Sequence, residues 1–221
     1  MKNNKQKRKQ CTSRRQWLAE RRKGIGGSDA AVIMGASRYR NISELWQIKT
    51  GRIDEPKIVN RYVDYGAAAE KHLMGLFMLN HPHFQVVPHD NKIIWSKDYP
   101  FIFASLDGEY KDEDGNKGIV EIKTGRTLNW RVRQLWQGII PQAYLWQILH
   151  YMIATGWDRA VLQAFLISKE NKNDTVAGLQ EYWIYREDFE DEISRLIEKE
   201  SEFWEAVEGD YEPAMAIDLS L

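Results

Sequence analysis

Asp107, Glu121 and Lys123 are the residues whose types and spacing could do chemistry. Glu121 and Lys123 stand two apart in Gly118-Ile119-Val120-Glu121-Ile122-Lys123-Thr124. Side chains on a strand alternate faces, so these two point one way while Val120 and Ile122 point into a core. A second apolar run, Phe101-Ile102-Phe103-Ala104-Ser105-Leu106, ends on Asp107 and Gly108. The polar stretch between the runs contains Asp114-Gly115, a strong hairpin signal. An antiparallel hairpin of these runs sets Asp107 beside Glu121, so two carboxylates and an ammonium share one patch.

Such a patch suits a hard divalent cation, Mg²⁺ with Mn²⁺ as a substitute, held by carboxylates and water. The cation activates a water and neutralises charge on a phosphate, while a lysine orients the water or stabilises that charge. The competing reading is a solvated hairpin. Glu-x-Lys alone discriminates nothing, because Glu55-x-Lys57, Glu109-x-Lys111 and Glu170-x-Lys172 also occur. What sets Glu121 and Lys123 apart is the apolar run around them, where an unpaired charge is costly.

The elements around this patch supply further candidates. Gly24-Ile25-Gly26-Gly27-Ser28 leads into an apolar run, which reads as a loop entering a helix with Ser28 as N-cap. With Arg21 and Arg22 beside it, that helix start could hold a phosphate, or it could be an ordinary capped helix. Ser43–Thr50 reads as a short helix ending at Gly51, and Asp54–Asn60 as a loop. Tyr62–Leu79 has helical spacing, and Ala67, Ala68 and Ala69 would let it approach a sheet and aim Glu70 at the patch; a solvated Glu70 is the alternative. His81 and His83 lack further ligands at metal spacing and read as loop residues.

Phe84–Val87 and Lys92–Trp95 read as a hairpin across His89-Asp90-Asn91. Trp130–Gly138, with Arg131 and Arg133, is an aromatic and basic loop suited to stacking and phosphate contact, or to plain surface packing. Pro141 opens a helix over Gln142–Thr155, on which Gln147 and Tyr151 share a face. Arg159–Ser168 is a nearly continuous apolar strand, as expected of one covered on both faces, and Glu181–Tyr185 is another strand. Glu187–Glu208 is an amphipathic packing helix.

With 221 residues and 26 aromatic side chains the chain can bury a sizeable core. A single cysteine excludes an internal disulfide and an all-cysteine metal or Fe–S site, and it fits a cytoplasmic location. No apolar run is long enough to span a bilayer, and none follows the basic N-terminus as a signal segment. Residues 1–23 carry ten Lys and Arg against one acid, Glu20; the remainder carries 21 bases against 31 acids. The expected organisation is a basic, disordered tail over residues 1–15, able to touch nucleic-acid phosphates, followed by one domain over 16–221.

Taken in order, Arg21…Gly24-Ile25-Gly26-Gly27-Ser28-Asp29, Tyr65-Gly66…Glu70, Ser105-Leu106-Asp107-Gly108, Glu121-Ile122-Lys123-Thr124 and Gln147…Tyr151 resemble the YqaJ-like viral recombinases. That family is similar to the lambda-type exonucleases and belongs to the PD-(D/E)XK nucleases. The resemblance implies a restriction-endonuclease-like α/β/α core with a mixed central sheet. It further implies a Mg²⁺-dependent 5′→3′ exonuclease on the ends of double-stranded DNA. The expected products are 3′ single-stranded overhangs, and the expected partners are a single-strand annealing protein and two further copies in a homotrimeric ring, with no membrane.

By the same resemblance Asp107, Glu121 and Glu70 are the metal carboxylates, the Ile122 carbonyl is a further ligand and Lys123 is the catalytic lysine. Arg21 and Ser28 fall where the family binds the 5′-phosphate, and Gln147 and Tyr151 match the motif that supports the site. Leu106 stands where the name of the superfamily has proline. The acidic remainder confines DNA contact to the N-terminal segment, Arg131 and Arg133, and the channel lining. A RecB- or Cas4-type nuclease without its Fe–S cluster and a non-enzymatic DNA-end-binding module are the alternatives.

Overall fold

The computed structural model describes residues 6–56, 61–127, 136, 138–169 and 175–214. Its strands are β1 (Arg8–Gln10), β2 (Gln85–Pro88), β3 (Lys92–Trp95), β4 (Phe103–Ala104), β5 (Gly108–Lys111), β6 (Lys117–Thr127), β7 (Arg159–Lys169) and β8 (Thr175–Tyr185). Its helices are α1 (Arg14–Arg21), α2 (Gly27–Ile33), α3 (Ile42–Lys49), α4 (Arg61–Asn80), α5 (Gln142–Thr155) and α6 (Glu190–Glu208), the last preceded by a 3₁₀ turn over Arg186–Phe189. Among the described residues no helix is long and apolar enough to cross a membrane.

A five-stranded sheet ordered β2-β5-β6-β7-β8 forms the middle layer. It is mixed: β6 and β7 run parallel and every other pairing is antiparallel. Two parallel neighbours need a long crossover, which here includes α5. Helix α4 covers one face, setting Leu73, Met74 and Phe77 on Val120, Ile122 and Val161. Helix α5 covers the other, setting Ile148, Leu149 and Met152 on Ile119, Ala160 and Leu162. The alternation of β6 thus splits its apolar residues between two cores, and β7, covered on both sides, needs apolar residues at successive positions. Outside α5 lies α6, through Ile193 and Leu196. This is the three-layer α/β/α arrangement expected from the sequence.

Four local expectations are corrected. The basic N-terminus is built into the fold from Arg8: β1 pairs antiparallel with β3 in a second sheet, ordered β1-β3-β4. Counting lysines missed that Cys11 is buried with Ile93, Trp95 and Phe103, and that the Ser13 hydroxyl caps α1 by accepting the Gln16 N–H. The central hairpin is also shorter than expected. Only Phe103–Ala104 of the run before Asp107 is strand, and it belongs to the small sheet; the partner of β6 is β5, which begins just after Asp107. Gly115 closes that hairpin at φ +87°, a backbone that side chains resist.

The hairpin expected across His89-Asp90-Asn91 does not form, because β2 pairs with β5 while β3 pairs with β1 and β4. Here the chain passes from one sheet to the other, a choice that strand patterns cannot reveal. Ser28, finally, is not an N-cap. Gly26 caps α2, and the Asp29 carboxylate accepts its N–H at 2.9 Å.

Candidate active site

Strand β6 presents Glu121 and Lys123 on its α5 side, opposite to Val120 and Ile122. The register that pairs Gly108 with Val120 sets Asp107 across from Glu121. An Asp107 carboxylate oxygen accepts the Ile122 N–H at 2.7 Å, tying the two segments together. Lys123 Nζ is ion-paired with Glu121 Oε1 and lies 5.4 Å from the centre of the Tyr144 ring. From α5, Gln147 Nε2 donates to Glu121 Oε1 at 2.7 Å and to Tyr151 Oη at 2.8 Å. The Tyr151 hydroxyl in turn donates to the Ser105 carbonyl at 2.9 Å. One chain of hydrogen bonds therefore links the helix that backs the sheet to both carboxylate-bearing segments. The spacing of Gln147 and Tyr151, one turn of α5, makes it possible.

Glu70 reaches the same cluster from α4. Asp107 raises its pKa, Lys123 opposes that, and burial is the largest contribution, bringing Glu70 to about 7. Glu121 is 1% exposed; burial and the neighbouring Asp107 carboxylate push its pKa up to about 8. Asp107 is raised as well, by burial, against the pull of Lys123. Burial works against the Lys123 ammonium, but Glu121 and Asp107 outweigh it and hold the lysine charged. Three carboxyl groups thus face one ammonium in a site where Glu121 is buried and the others are partly buried, and each is harder to ionise for it.

The donor set fits a hard divalent cation. Glu121 Oε2 is buried with no hydrogen-bond partner, an orphaned acceptor that ordinarily costs on the order of 1–3 kcal/mol. Among the described residues no group of three or more His, Cys, Asp and Glu side chains is placed to hold a metal ion. Magnesium does not ask for one, because it binds through one or two carboxylates and completes its shell with water and substrate oxygens.

A second cluster adjoins the first. Arg21 Nη2 donates to the Ser28 hydroxyl at 2.8 Å and lies 3.9 Å from Asp29. Lys49 Nζ, buried, donates to Asp29 Oδ2 at 2.7 Å and to the Gly24 and Arg21 carbonyls at 2.7 and 2.9 Å. Burial favours a protonated Asp29, yet Lys49 and Arg21 overcome it and bring the pKa to about 2. The glycines here serve packing. A Cβ on Gly27 would sit 2.5 Å from the Tyr151 ring and 2.9 Å from Gln147 Cγ, so glycine is what lets α2 press the two α5 side chains into place. Arg22 is turned away, paired with exposed Asp54. Arg131 and Arg133 lie outside the described residues.

Sequence reasoning missed Trp17, Ser105 and Lys49. Trp17 Nε1 donates to Ser105 Oγ at 3.1 Å, and the Arg21 guanidinium lies 4.6 Å above its ring. The spacing of Trp17 and Arg21 on one helix was a usable signal. Lys49 gave none, since a lysine in the last turn of a helix ordinarily points to solvent.

A family model described as the YqaJ-like viral recombinase domain matches residues 16–158. The chain is 31% identical over 205 residues to the uncharacterized protein YqaJ of Bacillus subtilis strain 168. That alignment takes in 92% of this chain and 59% of the relative, so the chain spans well under two thirds of the relative's length. The fold is similar to the crystal structure of the alkaline exonuclease LHK-Exo from Laribacter hongkongensis, with a TM-score of 0.65, 18% identity and 89% and 93% of the two chains covered. It is also similar to a phage-related exonuclease from Haemophilus somnus 129PT, with a TM-score of 0.56, 12% identity and 85% and 96% covered. At these identities the likeness is one of fold.

Proposed function

Because the chain belongs to the YqaJ-like viral recombinase domain family, we propose that it is a metal-dependent exonuclease that degrades linear double-stranded DNA from its 5′ ends. The observation that carries this reading is the Glu70, Asp107, Glu121 and Lys123 cluster, with carboxylate in excess and the buried Glu121 Oε2 unpartnered. Fold alone would not carry it. LHK-Exo is an alkaline exonuclease with a crystal structure in complex with dAMP, which agrees with the reading.

In this proposal Asp107 and Glu121 with the Ile122 carbonyl, and Glu70 beside them, would hold Mg²⁺, which would activate water and neutralise phosphate charge. Lys123, kept as an ammonium by its carboxylate neighbours, orients the attacking water and stabilises charge on the phosphate oxygens. Gln147 and Tyr151 fix the Glu121 carboxylate in one rotamer. Arg21 and Ser28 receive the 5′-phosphate, and Arg131 and Arg133 contact the DNA flanks. The 3′ overhangs left behind serve recombination through a single-strand annealing protein.

Residues 16–221 act as one nuclease domain, and three copies close a ring around the duplex. With an acidic body and salt screening within about 10 Å at 0.1 M, enclosure retains DNA better than charge does. The test is digestion of 5′-phosphorylated and 5′-hydroxyl linear duplex with and without Mg²⁺. Degradation only with the metal, faster on the phosphorylated end, is expected; equal rates without metal sink the reading. Light scattering checks the ring, since a mass near 25.9 kDa rather than three times that removes it.

A further inference from the structure

Helix α1 carries a charge that the rest of the N-terminal segment does not explain. Arg8 is paired with Glu109, Lys9 and Lys23 with Glu20, Arg22 with Asp54 and Arg21 with Asp29. Arg14 is exposed and, like Lys7 and Arg15, has no carboxylate partner among the described residues. It also stands in the first turn of α1, which holds no acid, so the helix dipole opposes its charge. A cation kept at an unfavourable position without a partner is free to meet an external anion.

Its place in the fold says which anion. Arg14, Trp17 and Arg21 follow at helical spacing and share one face of α1. Both guanidiniums lie over the indole, Arg14 at 5.8 Å and Arg21 at 4.6 Å from the ring centre. The indole is fixed by its N–H to Ser105, two residues ahead of Asp107. Seven residues away, Arg14 lies about 10 Å along the helix axis from Arg21.

We propose that the Arg14–Trp17–Arg21 face of α1 is a phosphate track for the duplex being degraded: Arg14 binds a second phosphate of the DNA whose end is at Arg21, and Trp17 holds both guanidiniums in register. The proposal rests on the exonuclease reading above and adds to it a contact that positions the duplex behind its end. Stacking on an aromatic face leaves a guanidinium's edge donors free for phosphate oxygens.

The test is equilibrium binding of a fluorescent 5′-phosphorylated linear duplex in EDTA, titrated with salt. Each phosphate contact contributes about 0.9 to the slope of log K against log salt. Arg14→Gln is expected to make the slope shallower by about 0.9, Arg14→Lys to keep it, and Trp17→Leu to lower it by nearly twice that amount. Circular dichroism and thermal melting establish that each variant is folded. A slope for folded Arg14→Gln equal to that of the wild type overturns the track and leaves the exonuclease reading standing. If the wild type binds no linear duplex, that reading falls and the track falls with it. If the Arg14→Gln deficit appears on single strands but not on duplex, Arg14 follows the product strand and the commitment to duplex is wrong.

Discussion

Two buried charge clusters lie side by side in this molecule, and they are built on opposite principles. Around Asp29 one carboxylate meets two cations, and Lys49 donates three hydrogen bonds from a site 3% exposed. Around Glu121 three carboxyl groups meet one ammonium, and a buried oxygen is left without a partner. A buried charge that is paired and hydrogen-bonded belongs to the architecture; one left in excess is a site that awaits something. The same physics thus separates a structural cluster from a functional one without reference to any relative.

The largest expected effect breaks the second cluster. Asp107→Ala, Glu121→Ala and Lys123→Ala should each lower the rate of duplex digestion by at least about a thousandfold while the protein stays folded. Digestion at the wild-type rate by folded Glu121→Ala removes the assignment. In the first cluster the outcome inverts. Lys49→Met leaves Asp29 buried without its main partner and should cost about 3–5 kcal/mol in denaturant unfolding, to the same extent with and without Mg²⁺. Unchanged stability means that Arg21 alone compensates Asp29.

The pH dependence of stability sharpens the contrast. Asp29 is held at about 2, below its unfolded value, so its contribution is complete above about pH 4 and is lost as pH falls toward 2. Burial lowers Lys49 as well, which subtracts from the pair's net worth but does so evenly across this acidic range. Glu121 is raised to about 8 and Glu70 to about 7. Raised acids favour the fold while they are protonated, so in EDTA stability should decline as pH rises from about 4.5 to 8. Glu121→Gln should flatten most of that decline and raise the midpoint of thermal unfolding at pH 8.5. A profile for Glu121→Gln parallel to the wild type means that the carboxylate is not strained.

The smallest effect lies where the clusters meet. Arg21→Ala should erase a severalfold preference for 5′-phosphorylated over 5′-hydroxyl ends, read from initial rates on the two substrates. Loss of that preference in Arg22→Ala instead moves the phosphate site by one residue.

Much of this was legible in the chain. The alternation around Glu121 fixed which side chains share a face, because a strand has only two. The Asp114-Gly115 step fixed a turn, and together they brought Asp107 to Glu121 even though the strand ahead of Asp107 was misplaced by a few residues. Gln147 and Tyr151 were legible as one face of a helix. None of this needs distant parts of the chain, since backbone geometry repeats locally. Only the tertiary structure decided that β2 and β3 part into different sheets, that the basic N-terminus joins β3, and that the glycines before Ser28 admit Tyr151. It alone decided that Lys49 turns inward to Asp29. Each of these depends on what a segment meets across the fold, and a charged or glycine-rich stretch reads the same in sequence whether its partner is water or a buried carboxylate.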